Sequence, residues 1–495
     1  MRIRNPADNQ RFCRSQCVRA SPALYKKHQQ QTSAALWQHQ EYNKLAITSS
    51  TTAAAHRPAA AVSAADKSRM STADADCGVI GSGPAGLTAA LALAEVGASV
   101  IVTGPAFRPD PQRPDTRTTA IFSGGIALLR RLRVWGRCAD AAAPLQAIRI
   151  IDDTGRLLRA PETCFNASEI GADSFGYNIP NAALVGALHE AVAASDAVRF
   201  IETKKVTGID IRHDQGAVFM TLAESAMRQS ELRQDELQQS ELRQISTRLL
   251  AGADGRSSIA RQAAGIAPYS WDYDQAAVVC SFNHQRGHDN ISTEFHRANG
   301  PFTTIPLPGN MSSLVWVESK QQARHLQALD DDAMAMAIET RLGGLLGAIS
   351  NVGPRAHFPL SGMAARSLAA NRIALIGEAA HVVPPIGAQG LNLGFRDGAA
   401  LADAVADALS QGRDPGSDAV LSQFRAARRM DVLSRTLAID LLNRTLLSNL
   451  LPAQALRGAG LFALNTIKPL RRFVMREGLQ PGSTLPRLMR PMAEM

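Results

Sequence analysis

The stretch "DCGVIGSGPAGLTAALALAEVGASVIVTG", residues 76–104, constrains the fold more than any other. A short apolar strand, residues 77–80, runs into Gly81-Ser82-Gly83-Pro84-Ala85-Gly86. A helix follows with Leu87, Leu91 and Ala94 on one face, and a second strand, residues 99–102, closes a βαβ unit. Gly81 permits the tight turn, Gly83 lets a pyrophosphate approach the backbone, and Gly86 lets helix and strand pack closely. The helix start offers N–H donors and a partial positive charge to an anion. Glycine spacing alone is weak, but strand, helix and strand in this order read as a dinucleotide site. An acid ending the second strand would grip the adenosine ribose. Thr103-Gly104 stand there instead, so the Thr103 hydroxyl is the candidate, without charge assistance. This motif leaves FAD and NAD both open.

At 495 residues the chain exceeds one ordinary core, and its 45% apolar content is that of a globular protein. The net charge is +9, yet residues 1–69 and residues 425–495 each carry +8, which leaves −7 for the middle. The basic balance belongs to the two ends, and no nucleic-acid partner is expected. Residues 1–73 read as a disordered or non-native extension, Gln/Ser/Thr/Ala-rich and without a helical or strand period. They have no apolar core of a secretory signal. Two readings stay open: a mitochondrial transit-type segment, or a tail upstream of a start at Met70. The cysteines Cys13, Cys17, Cys77, Cys138, Cys164 and Cys280 form no CxxC pair, and Ala193 stands where a second His would complete His189-Glu190 as a zinc motif. No metal is expected. No run of 18 apolar residues occurs.

Two further loops carry sugar- or phosphate-type chemistry. "LLAGADGRSSIAR", residues 249–261, is a strand ending in Asp254-Gly255 before a helix start. "IALIGEAAHVVPPIGAQGLNLGFRDGAALAD", residues 373–403, is a strand ending at Gly377-Glu378. There Glu378 can accept from ribityl hydroxyls, and Pro384-Pro385 fix an extended elbow. Gly387, Gly390 and Leu391 then bring backbone N–H groups to a helix start, residues 391–409, suited to an electron-rich ring edge. One long ligand touching three distant loops is the plain explanation: its AMP half on the first, its ribityl and ring on the last.

These three motifs, in this order, resemble the class A flavoprotein aromatic hydroxylases of the p-hydroxybenzoate hydroxylase fold, over residues 75–480. More narrowly the chain resembles the ubiquinone-biosynthesis hydroxylases, through "DTRTTAIFSGG", "YDQAAVV", "GPFTTIPLPGNMSSLVW" and "DLLNRTLLSN". The resemblance implies an α/β, mixed α+β chain: a Rossmann-like FAD-binding domain with an inserted antiparallel-sheet substrate domain and a helical C-terminus. The FAD part would take residues 74–146, 176–265 and 360–412. The sheet would take 147–175 and 266–359, and the C-terminal helices 413–495. It implies FAD as cofactor, NADH or NADPH as co-substrate, O2, and a prenylated phenol or quinone precursor whose ring is hydroxylated.

Carried over by position, Gly81, Gly83, Pro84, Ala85 and Gly86 match the pyrophosphate loop. Arg117 matches an arginine along the FAD phosphates. Asp254 and Gly255 match a motif serving FAD and the pyridine nucleotide. Glu378 stands where the family usually has Asp, and Asn181 where many relatives have Arg. Gly387, Ala388, Gly390, Leu391 and Asn392 match the flavin-edge loop. The Pro385 carbonyl is the one candidate catalytic group. His381 reads as a histidine bonded locally beneath that loop.

Two segments remain. "SELRQDELQQSELRQ", residues 230–244, repeats every five residues and reads as an expanded loop. The C-terminal region mixes Leu-rich faces with Arg and Lys. It either caps the core or lies on an anionic bilayer, with Arg471 and Arg472 beside Phe473 and Val474. The expected location is cytoplasmic, peripheral on the inner membrane of a bacterium, with a ubiquinone-synthesis complex as a further partner. The alternatives are a soluble phenolic hydroxylase, a polyprenyl reductase, or a non-catalytic flavin-binding partner.

Overall fold

The strand Ala75–Ile80 is buried almost throughout, as a central parallel strand must be with helices on both faces. A computed structural model describes residues 73–491 except 111, 113, 156–158, 224–242, 448–450 and 480–484. The expectations for residues 1–72 and for most of the five-residue repeat lie outside the described residues. Of that repeat only Arg243 and Gln244 are described, and they open a strand.

Around Ala75–Ile80 the parallel strands run in the order Ile373–Leu375, Arg243–Gly252, Ala75–Ile80, Val100–Gly104, Val198–Glu202. Two antiparallel strands, Val206–Arg212 and Ala217–Leu222, extend it beside Arg243–Gly252. The three sequence motifs therefore sit at the carboxyl ends of three adjacent strands, where ligands of such sheets bind. Two helices rise from that edge, Pro84–Glu95 and Gln389–Leu409. They pack at close range because small residues face each other. A Cβ on Gly398 would come 2.9 Å from the Ala89 Cβ, and one on Gly394 would come 3.2 Å from the Ala85 Cβ. Larger side chains there would push the two helix starts apart.

The second sheet runs His381–Val382, Ala356–Ala365, Pro268–His284, Met311–Ser319, Gly300–Leu307, Ile291–Arg297, Ala147–Asp152, Thr163–Asn166. It departs from the expectation in two ways. Ala147–Asp152 and Ile291–Arg297 pair in parallel, which the long intervening chain allows. The sheet also continues past residue 359, because Ala356–Ala365 pairs with Pro268–His284 as far as Pro268 opposite Ala365. One face of this sheet buries Val278, Phe282, Phe302, Leu314 and Trp316 in a core with Leu326, Met334 and Ile338 from the helices Lys320–Ala328 and Asp331–Leu342. The other face carries a smaller cluster of Tyr273, Ala277, Val317 and Leu360.

The helix Asp418–Leu447 joins the two sheets. It packs along Gln389–Leu409, and at its far end Tyr273 Oη donates to Asp440 at 2.5 Å. Asn443 Nδ2 also donates to Gln275 Oε1 at 3.2 Å there. This stitching ties the two sheets together within one compact unit.

Two short helices follow, Leu451–Thr466 and Lys468–Leu479. Arg471 does not face outward as the sequence suggested. Its guanidinium pairs with Glu169 at 2.6 Å, donates to the Cys164 carbonyl and lies 4.5 Å from the Phe165 ring centroid. It pins the last helix to the sheet edge. Arg471 holds the Glu169 carboxyl well down, at about 2. A depressed carboxyl contributes stability that is complete above its ordinary value of 4.5 and is lost as pH falls through about 2. The helix should therefore loosen across that window, read by hydrogen exchange in residues 468–478 corrected for intrinsic rates. Glu169→Gln should loosen it already at neutral pH, with a local loss of about 1–2 kcal/mol.

Candidate functional site

Each of the three glycine positions in the first loop has its own reason. Gly81 has φ +118°, and a Cβ there would collide with the Ala253 carbonyl oxygen. A Cβ on Gly86 would collide with the Gly81 carbonyl oxygen. Both are demanded by packing of the strand and helix. Gly83 is different. Its φ of −78° and ψ of 174° suit any residue, and nothing lies within 4 Å of its would-be Cβ. The fold itself does not need glycine there, and the space above it is open to a ligand. The helix it starts has no side-chain cap and no acid in its first turn, and Pro84 at its first position has no N–H to satisfy. The amides of Ala85 and Gly86 remain for an anion.

Thr103 is corrected. It is 0% exposed, and its hydroxyl donates to the Val79 carbonyl, so it faces the core and not a ribose. A Cβ on Gly104 would come 2.8 Å from the Ser82 nitrogen, which explains why no acid ends this strand.

In the third motif the elbow Pro384-Pro385 places Pro384 in the interior and Pro385 outside. Gly387 has φ +63°, and Ala388, the residue before the helix Gln389–Leu409, has φ +51°. For a residue with a Cβ this costs about 1–2 kcal/mol. Asn392 holds it there. Its Nδ2 donates to the carbonyls of Ala388 and Ala120, each at 2.8 Å, and its Oδ1 accepts from the Phe122 N–H at 2.9 Å. The Asn392 side chain is thus committed to holding the loop. This helix too starts without a side-chain cap or an acid in its first turn. Gly390 is exposed and Leu391 half-buried beside it.

The second motif closes the rim. Asp254 accepts from Ser258 Oγ at 2.5 Å and from the N–H groups of Ile259 and Ala260 at 2.7 and 3.1 Å. It satisfies the first amides of the short helix Ile259–Ala263, whose N-cap is Ser258, so its carboxylate shapes the Gly255 loop, where φ is +77°. Glu378 is exposed and pairs with Arg256 at 3.2 Å. Arg117 pairs with Asp115 at 2.7 Å and stands 5.9 Å from the Phe358 ring centroid. Burial pushes the Asp115 carboxyl up, but Arg117 outweighs it and the net is below the usual range. The Asp115 hydrogen bond raises Arg117 in turn, with a smaller push from Glu378. Asn181 accepts from Thr119 Oγ1 at 2.6 Å, and its own N–H donates to the Arg117 carbonyl. It is buried and braces Arg117 and the start of the strand Thr118–Phe122.

His381 lies beneath the loop as expected. Its Nε2 meets Asp397 at 2.7 Å, and both side chains are 1% exposed. Asp397 also accepts from Arg428 at 2.8 Å and from the Gly377 N–H at 3.0 Å. Burial pushes the Asp397 carboxyl up, but His381 and Arg428 prevail and hold it far below the carboxylate range.

The chain matches a family model described as "FAD binding domain" over residues 74–436. It is 32% identical over 424 residues to the ubiquinone hydroxylase UbiL of Rhodospirillum rubrum, covering 84% of this chain and 92% of that protein. It is 29% identical to the 3-demethoxyubiquinol 3-hydroxylase of Escherichia coli, over 83% of this chain and 100% of that one. Among solved structures, p-nitrophenol 4-monooxygenase PnpA of Pseudomonas putida superposes with a TM-score of 0.63 at 19% identity, over 82% of this chain and 98% of that one. The chain belongs to the FAD-binding monooxygenase family, in its ubiquinone-biosynthesis hydroxylase branch.

FAD is the cofactor, and the open cradle above Gly83 and the two uncapped helix starts fit it. Sequence reasoning missed Asp115, Arg256, Asp397 and Arg428. Asp115, Arg256 and Asp397 stand in "DTR", "GRSS" and "FRDG", and Arg428 in "FRAARR"; Asp115 pairs with Arg117 two residues on, whereas Arg256 meets Glu378 and Arg428 meets Asp397 across 122 and 31 positions, which no local pattern shows. Gly83→Val is expected to fold with a near-normal melting temperature and to lose bound FAD, read by absorbance after desalting. Gly81→Ala is expected to destabilise the fold itself by about 2 kcal/mol or more. Full flavin in the Gly83 variant would remove the phosphate assignment.

Proposed function

We propose that this enzyme hydroxylates the aromatic ring of a polyprenylated ubiquinone precursor, using NADH or NADPH and O2. The observation that carries the reading is a juxtaposition. The cofactor rim, through Arg117 and Thr118, meets the apolar face of the second sheet: Thr118 Oγ1 bonds Ser313 Oγ at 2.7 Å, and Arg117 stands over Phe358. Val279, Thr303, Ile305 and Val315 share that face by register, with Phe358 opposite Ala277; the ionisable groups next along it, Glu294 and His296, are paired with each other at 2.7 Å. Such a floor suits a neutral ring with an isoprenoid tail better than a charged phenol carboxylate.

FAD, when bound, supplies hydride acceptance from the nicotinamide and activation of O2. Gly81, Gly83, Ala85 and Gly86 would hold its pyrophosphate, Arg117 its phosphates, Glu378 its ribityl chain, and Gly387 to Leu391 its ring edge. In the overall reaction a ring C–H becomes C–OH, one O2 is reduced, NAD(P)H is oxidised, and the second oxygen leaves as water with one proton taken up. This chain's part is to orient the ring and exclude water. The Pro385 carbonyl is the backbone group offered towards the reacting side.

The enzyme acts at a lipid surface. Among the described residues no helix is long and apolar enough to cross a membrane. Phe462, Ile467, Leu470, Phe473 and Val474 are nonetheless exposed, and Lys468, Arg472 and Arg476 stand among them exposed as well. With Lys468, Arg472 and Arg476 exposed among these apolar side chains, this surface complements an anionic bilayer. Arg472→Glu together with Phe473→Glu should reduce sedimentation with anionic vesicles at low salt and leave flavin content unchanged. Arg471 is unsuitable for this test, since it anchors the helix.

The reaction is tested by adding a prenylated phenol to the flavin-loaded enzyme. NAD(P)H consumption should rise, and mass spectrometry should find a product one oxygen heavier. NAD(P)H oxidation that ends in H2O2 with every prenylated phenol, and in product with short phenols, would favour a soluble phenolic hydroxylase. No stimulation by either would favour a flavin-binding partner of the synthesis complex.

A further inference from the structure

We propose that Arg435 is a positioning residue that ties the last helix to the flavin-edge loop. Its guanidinium has four partners from three segments. Nε pairs with Asp431 at 2.6 Å. Nη1 donates to Gln389 Oε1 at 3.2 Å and to the Gly478 carbonyl at 2.9 Å. Nη2 donates to the Glu477 carbonyl at 2.7 Å. Gln389 is the first residue of the helix Gln389–Leu409, directly after the strained Ala388. Glu477 and Gly478 lie in the last turn of Lys468–Leu479, and Gln389 Nε2 itself reaches towards the Gly478 carbonyl at 3.4 Å.

One planar cation therefore caps the C-terminal end of one helix and holds the N-terminal end of another. It is fixed from behind. Asp431 also accepts from Arg428 at 2.5 Å, and Arg428 reaches Asp397, which holds the Gly377 N–H and His381. The flavin-edge loop is thus gripped at Gly377 through Asp397 and at Gln389 through Arg435. Leu470, Phe473 and Val474 lie outward on the same last helix. Anything that shifts that helix acts on Gln389 through a few bonds, so the amides of residues 389–391 keep their aim only while the helix is docked. The inference rests on the flavin reading of that loop, and on nothing about the substrate.

The test is a cycle of Arg435→Gln, Gln389→Leu and the double variant, with FAD dissociation constants read by flavin fluorescence and the bound-flavin absorption band recorded. Each single variant should weaken FAD binding, by on the order of fivefold to tenfold, and the double variant should be little worse than either. Arg435→Lys keeps a charge for Asp431 but loses the fork. It should recover the melting temperature and leave FAD binding weak, which a purely structural role does not predict. Additive losses, or wild-type FAD affinity in Arg435→Lys, overturn the proposal. Should Arg435→Gln fail to fold, wild-type affinity and spectrum in both Gln389→Leu and Arg435→Lys overturn it equally. Failure of the ring-hydroxylation reading would appear in product analysis and leave these affinities untouched.

Discussion

Asp397 is the charge on which the site depends. It is buried to 1% exposure between Arg428, His381 and the Gly377 N–H. A buried carboxylate without partners is prohibitively costly, and removing one partner from such a group typically costs about 3–5 kcal/mol. The partners come from two places: Gly377 and His381 from the loop after Ile373–Leu375, Arg428 from the helix Asp418–Leu447. The carboxylate is therefore satisfied only when the loop and that helix are both seated. Gly377 has φ +60° and points its N–H at Asp397, so the same bond fixes where Glu378 begins. Stability of the core and placement of the Glu378 carboxylate are one requirement.

The close seam between Pro84–Glu95 and Gln389–Leu409 is the second requirement. Ala85 and Ala89 against Gly394 and Gly398 bring two helix starts to one strand edge. Each start leaves amides without a side-chain cap. Two such ends side by side would repel in isolation, since both carry partial positive charge. They are tolerable where an anionic or electron-rich ligand lies across both. A dinucleotide with a pyrophosphate at one end and a ring edge at the other is that kind of ligand, and a single phosphate is not.

Much of this was legible in the sequence because the decisive constraints there are local. Glycines at positive φ, a proline elbow and a strand–turn–helix order are written in adjacent letters. Gly81, Gly86 and Gly387 needed no partner to be read. The misreadings concern side chains whose partners are distant. Thr103 looked like a ribose ligand because strand ends usually face the ligand, but burial against Val79 turned it inward. Asp254 is a different case, since the helix amides it holds, those of Ile259 and Ala260, are only five and six residues on. Arg471 looked like a surface cation because Glu169 lies 302 residues away. The parallel pairing of Ala147–Asp152 with Ile291–Arg297 was equally invisible, since no local pattern encodes strand order.

Ala388 shows how these levels meet. A glycine at that position would adopt φ +51° without cost, and the two neighbouring motif glycines make one more seem natural. Glycine would also leave the loop free to explore other conformations. Alanine narrows that freedom, provided something else supplies the energy to hold it left-handed. Asn392 does so through the Ala388 carbonyl, and it is itself fixed by Ala120 and Phe122 on a separate strand. The strain at Ala388 is thus balanced through Asn392 by contacts with residues 270 and 272 positions from that asparagine. The flavin-edge loop is accordingly a property of the assembled fold: its local sequence permits the geometry, and the buried network beneath it selects it.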